Sequence, residues 1–167
     1  MSELNESDVK VRRAKPSDSA AIKAFVEDAT HGRVDTDRAQ ILEKLGSKGV
    51  LLAHTERLIG LAGFRVENLV GRVEDLLVYP AALRPVAGKV LLDAIETEAN
   101  GLKCEIVLIF IHMEASQELV DFCESRGYAA PDTRNWPPPW TGAVKEFGGS
   151  DRFVLFKQLR ERVLKPI

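Results

Sequence analysis

The stretch Leu76–Ala99, LLVYPAALRPVAGKVLLDAIETEA, decides how this chain is read. Its first residues are apolar enough for a buried strand. After the prolines Pro80 and Pro85, apolar residues recur at helical spacing, with Val90, Leu91, Ala94 and Ile95 facing inward and Asp93, Glu96 and Glu98 facing water. A strand, loop and helix in that order presents free backbone N–H groups and the positive end of a helix dipole to an anion. Loops that hold phosphate this way use glycine where the backbone must approach the ligand. Here Leu83, Arg84, Pro85, Val86 and Ala87 precede a single Gly88, so the loop raises the question of whether phosphate is still bound.

Beyond the loop, CEIVLIFIHM (Cys104–Met113) is almost wholly apolar, as a strand buried on both faces should be. Strand, helix and strand demand a right-handed parallel crossover, so VEDLLV and CEIVLIF should run parallel, splayed near Val78 and Ile109. Upstream, GVLLAHT, RLIGLAGFRVENL and GRVEDLLVYP are three β-rich runs with turn candidates at Glu56-Arg57 and Val70-Gly71, which predicts an antiparallel meander. Before them lie a strand, VKVRRA, and two helices. The first is capped by Ser17 or Asp18; the second carries Ile41, Leu42 and Leu45 on one face and has Gly46 as its stop signal. Downstream, SQELVDFCESRG reads as a helix closed by Gly127, and DRFVLFKQL as a last strand. Between these two, Pro131, Pro137, Pro138 and Pro139 with both tryptophans suggest an ordered loop covering something.

The chain has 167 residues, is 45% apolar and carries a formal net charge of -2. That size fits one domain, 9–160, between a flexible N-terminus 1–8 and a C-terminal tail 161–167. Interspersed charge gives no footprint for nucleic acid, and the basic clusters Lys10, Arg12, Arg13 and Arg160, Arg162, Lys165 are short and terminal. Cys104 and Cys123 lack metal-ligand spacing, so no metal site is expected, and no apolar run has transmembrane length. A cytoplasmic setting without a membrane partner is the expectation. Oligomeric state is left open, a homodimer included.

The order β-α-α-β-β-β-α-β-α-β resembles the GCN5-related N-acetyltransferase (GNAT) family from about Val9 to Leu159. The strings VRRAKPSDSAAI, VEDLLVYP, LLDAIETEA, FCESRGY and RFVLFKQL carry the resemblance in that order. It implies an α/β fold with a twisted, mixed central sheet of about six to seven strands and helices on both faces. It also implies acyl transfer from acetyl-coenzyme A to an amine acceptor, a small molecule or a peptide. The family's pyrophosphate loop, Gln/Arg-x-x-Gly-x-Gly/Ala, falls on Leu83 to Gly88, with only the last glycine kept. The resemblance therefore assigns cofactor contacts to Leu77 and Val78 on the strand, to Arg84, Val86, Ala87, Gly88 and Lys89 at the loop, and to Ser116. Arg84 and Lys89 offer charge-assisted contacts in place of lost backbone ones; the alternative is that both are solvated charges.

Acetyl transfer needs a neutral amine, a stabilised oxyanion and a proton for the departing thiolate. Glu74 and Asp75 sit where family members place a carboxylate base, and strand alternation lets only one face the acceptor; Glu74 is the choice, against the alternative of an exposed strand carboxylate. Cys123 occupies the place of the tyrosine acid of many relatives, or is simply a small core cysteine. Ser116 replaces an asparagine that holds the pantetheine, or merely caps its helix. His112 is a further base candidate, while His31 and His54 read as loop and strand-surface residues. Trp136 and Trp140 wall an acceptor pocket or form a patch for a partner, and both are expected to be largely buried. Because the departures at Leu83, Val86, Ser116 and Cys123 all weaken one activity, a catalytically silent binding or regulatory module is the competing reading.

Overall fold

In the computed structural model residues 3–149 and 151–161 are described. Of the expected terminal segments, Met1, Ser2 and everything after Glu161, including Arg162 and Lys165, lie outside them. Asn5 to Asp8 form a closed turn in which the Asn5 N–H donates to Asp8 Oδ2 at 3.0 Å.

The local signals set most boundaries. Strand β1 (Lys10–Arg13) leads through a short turn to helix α1 (Ser19–Ala29), which buries Ile22 and Phe25. Helix α2 (Arg38–Ser47) starts at Asp37, whose carboxylate accepts the Gln40 N–H at 2.7 Å while the Gln40 side chain accepts the Asp37 N–H at 3.0 Å, satisfying two otherwise orphaned donors. Gly46 does not stop this helix; it lies inside it, and the chain leaves the helix at Lys48. Strands β2 (Gly49–His54), β3 (Leu58–Glu67) and β4 (Val70–Val78) follow as the expected meander. The second turn, however, is Asn68-Leu69, both at positive φ, rather than Val70-Gly71. A tight hairpin turn needs two left-handed residues; Asn takes that conformation readily, whereas Val70 is β-branched and fully buried.

A 3-10 turn, Ala81–Leu83, and a π turn, Arg84–Gly88, lead into α3 (Lys89–Gly101). Strand β5 (Ile106–His112) is buried along all but its last residue, as its composition demands, and α4 (Gln117–Ser125) ends before Gly127 at φ +94°. The proline-rich segment differs from expectation: Pro138–Phe147 is a helix, α5, entered by prolines in its first turn. Proline is tolerated there because the first N–H groups of a helix have no partner to lose. Strand β6 (Arg152–Gln158) completes the element order.

The mixed sheet, flanked by helices, runs β1-β2-β3-β4-β5-β6. Its β4–β5 ladder, from Val70↔Ile106 to Val73↔Ile109, is parallel as predicted, and the β1–β2, β2–β3 and β5–β6 pairings are antiparallel. By internal contacts the chain divides into two units, residues 1–64 with 75–95 and residues 65–74 with 96–167. In the first, Ile22, Phe25, Ile41, Leu52 and Leu61 form the core. In the second, Val70, Ile106, Leu108, Phe110 and Trp140 do so, with Trp136, Val144 and Phe156 packed against them.

Candidate active site

In the first unit β4 ends at the buried Val78, and the Tyr79 N–H donates to the Ile59 carbonyl at 3.0 Å. Gly60 lets the start of α3 come close: a Cβ there would stand 3.0 Å from Leu91 Cδ1 and 3.4 Å from the Leu77 carbonyl oxygen. The expected phosphate loop is wound into helix. The Arg84 N–H donates to the Ala81 carbonyl and the Lys89 N–H to the Val86 carbonyl, while Pro85 has no N–H. The Lys89 N–H is therefore already engaged. Ala87 and Gly88 are buried, Val86 half-buried.

The two cations of the loop differ. Lys89 is held between Asp93, at 3.0 Å, and Glu6, which together hold its ammonium above its ordinary pKa. The half-exposed Arg84 side chain has no hydrogen bond or ion pair with any described residue. On β4 Glu74 is half-buried, and Asp75 is exposed with φ +59°. That left-handed residue interrupts the strand's alternation, and its carboxylate takes Lys48 Nζ at 2.9 Å.

A second feature of this unit escaped sequence reading. Glu27, Asp28, His31, Gly32, Asp35 and Tyr79 line a pocket of about 680 Å³. His31, at φ +52°, stands edge-on to the Tyr79 ring with centroids 6.0 Å apart. Lys23 pairs with Glu27 and lies 3.6 Å from Asp35, so acidic groups still outnumber basic ones here. An ammonium group suits such a pocket. The HGRVDT stretch hinted at this only through its turn residues.

In the second unit Cys123 is fully buried on α4, and Ser116 Oγ accepts the Leu119 N–H at 3.3 Å, so the serine caps the helix. His112 is exposed, its Nδ1 3.8 Å from Asp151 Oδ2. Trp140 is buried and donates from Nε1 to Glu105 Oε1 at 3.1 Å; the half-buried Trp136 meets it edge-to-face at 5.5 Å. Trp140 thus belongs to the core of this unit, whereas Trp136, expected to be largely buried as well, is only partly covered and packs against that core. Glu96, expected to face water, instead accepts Lys157 Nζ at 2.6 Å and the Tyr128 hydroxyl at 3.4 Å. No cluster of potential metal ligands occurs among the described residues, and no described helix is long and apolar enough to cross a membrane.

No family model and no curated protein matches the sequence. Solved structures do resemble it. An acetyltransferase of the GNAT family from Staphylococcus aureus Mu50 superposes with a TM-score of 0.71 at 14% identity, over 91% of this chain and 99% of that one. The ribosomal-protein-S18-alanine N-acetyltransferase from Escherichia coli gives 0.70 at 12% identity, over 95% and 99%. The putative acetyltransferase yncA from Salmonella typhimurium, solved with its cofactor acetyl-CoA, gives 0.66 at 19%, over 94% and 97%. At these identities the likeness establishes the fold, which is that of the GNAT acetyltransferases.

Proposed function

We propose that this chain, with its GNAT fold, is an acyl-coenzyme A-dependent N-acyltransferase whose phosphate contacts rest on side chains more than on backbone. The observation that carries the reading is Arg84, one turn before α3, whose guanidinium has no partner among the described residues. A guanidinium suits pyrophosphate oxygens, and small buried residues, Ala87 and Gly88, follow it at the helix start. Lys89 supplies a second positive charge once Glu6 and Asp93 give way, which exposed pairs do at little cost.

The acceptor in this reading is a primary amine on a cationic molecule or peptide, drawn to the pocket of Glu27, Asp28 and Asp35. Glu74 takes a proton from the amine, whose nitrogen forms the new amide bond. A bound coenzyme A thioester would supply the acyl carbon, its C–S bond breaking as the C–N bond forms and coenzyme A leaving as thiolate. Cys123 is the proton donor we assign to that thiolate, acting through a bridging water because its side chain is buried.

The competing reading, a silent binding or regulatory module, is favoured by the wound loop: with the Arg84 and Lys89 amides spent and Pro85 lacking one, much of a backbone cradle is gone. Calorimetric titration with acetyl-coenzyme A and with free coenzyme A at low salt separates the two. Binding that weakens as salt rises supports the enzyme. No heat and no change in melting temperature with millimolar ligand overturns it in favour of the module.

A further inference from the structure

Beneath α5 in the second unit lies a cavity of about 370 Å³, lined among others by Glu67, Arg72, Pro138, Gly142, Glu146 and Phe147. That volume suits a small molecule. Arg72 is the unusual member. It is only 1% exposed, although arginine is almost never fully buried without complete pairing. Its Nη2 donates to Glu67 Oε2 at 3.1 Å, and its guanidinium carbon stands 3.2 Å from the centre of the Phe147 ring. Neither Nε nor Nη1 has a hydrogen-bond partner among the described residues. The Nε–H and both N–H groups of Nη1 are therefore unclaimed. Buried donors in folded proteins nearly always find an acceptor, and a guanidinium gains most from an ionised one.

The surrounding charge narrows the choice of acceptor. Glu67, Glu74 and Glu146 act on Arg72 against the like charge of Arg65, so this is no general basic patch. A dianion such as phosphate would meet repulsion from the carboxylates lining the cavity. A single negative charge is tolerable, because the Glu67 side chain is more than half exposed and can yield its place to water. The rest of the lining includes apolar side chains: Pro138 and Ala143 offer no acceptor or donor, and the Phe147 ring lies against the guanidinium itself.

We propose that this cavity is a binding site for a small monocarboxylate with an apolar body, its carboxylate received by Arg72 and its body held by Pro138 and Phe147. None of the acyl-transfer steps above uses it, so it stands whether or not the chain is an enzyme.

Gly142 allows a test that leaves Arg72 alone. A Cβ at this position meets nothing within 4 Å, so Gly142→Leu should fill the cavity from a helical position where leucine is also the better helix former. The full chain is titrated with benzoate, benzamide and inorganic phosphate while the Arg72 Nε–H signal is followed in ¹H–¹⁵N spectra, assigned by its loss in Arg72→Met. Expected is a saturable shift with benzoate in the millimolar range, at least tenfold weaker with benzamide and phosphate, and abolished in Gly142→Leu. Benzoate should also raise the melting temperature of the parent but not of Arg72→Met, which keeps the test usable if Gly142→Leu does not fold. A signal indifferent to benzoate, an equal response to benzamide or phosphate, or a benzoate shift surviving in a folded Gly142→Leu overturns the proposal.

Discussion

In the first unit the charged side chains around α1 and Tyr79 stand in water: Asp35 is 88% exposed and Glu27 42%. In the second, Arg72 lies under α5 and Glu96 keeps only 15% of its side chain exposed. The same residue types thus have different weight. Solvated charges can be exchanged or neutralised at a cost near zero to 1 kcal/mol, so such a pocket selects partners by its field rather than by rigid contacts. A buried charge is bound to its neighbours by desolvation, and removing one partner exposes the cost of stranding the other.

Variants ordered by expected effect can break this contrast. The largest change should come from Arg72→Ala, at about 3 kcal/mol of unfolding free energy, because it removes an aliphatic stem and a ring contact from a packed site. Arg72→Met should cost less than about 1 kcal/mol, since Glu67, the partner left behind, is already in water. Urea denaturation of both variants reads the difference; equal large losses would mean that the charge itself holds the unit. Glu96→Ala comes next, at about 2.5 kcal/mol, because it removes the half-buried carboxylate that accepts both the Tyr128 hydroxyl and Lys157, for which it is the closest partner. Glu96→Gln should recover part of this in the same measurement.

In the first unit the effects should be on binding. Replacing Arg84 and Lys89 together by alanine should weaken acetyl-coenzyme A by about 2 kcal/mol, roughly thirtyfold in Kd, without lowering the denaturation midpoint. Arg84→Ala alone should supply most of it, because Lys89 is already engaged. Equal shares in calorimetry would mean that the Glu6 and Asp93 pairs do not restrain the lysine. The smallest effect concerns acid. The Arg12 guanidinium, followed by the Lys15 N–H, holds the Asp18 carboxyl down to about 2. A depressed carboxylate stabilises the fold above its unfolded pKa near 3.9 and loses that stabilisation as pH falls toward 2. With Arg12 nearly half exposed, screening reduces the contribution to about 1 kcal/mol or less. Asp18→Asn should flatten stability against pH between 4 and 2 by that amount.

What the sequence made legible was whatever repeats along the chain. The periodicity of α1 and α3 and the unbroken apolarity of β5 are local properties and read directly. Helix α5 was hidden because proline density suggests a loop, although Pro138 and Pro139 sit in the one helical turn that accepts them. Without that helix nothing indicated that Arg72 would be covered, since in VGRVEDLLV it has the look of an outward-facing strand residue. Glu96 misled for the same reason: its partner Lys157 is remote in sequence. The acidic pocket likewise joins Tyr79 to residues from Glu27 to Asp35, a proximity that only tertiary structure creates. Candidate residues chosen by position along a motif, such as Glu74, Arg84 and Cys123, were identifiable as addresses; their surroundings were not.

The bare backbone at Gly60 has a genetic consequence. A methyl group there meets the tip of Leu91 at 3.0 Å, a flexible contact that a shorter side chain would relieve. Positions 60 and 91 are therefore epistatic: Gly60→Ala should be harmful alone and rescued by Leu91→Val. Descendants of this sequence that acquire alanine on the strand should carry a smaller residue at the head of the helix, a covariation that would mark where strand and helix inherit change as one unit.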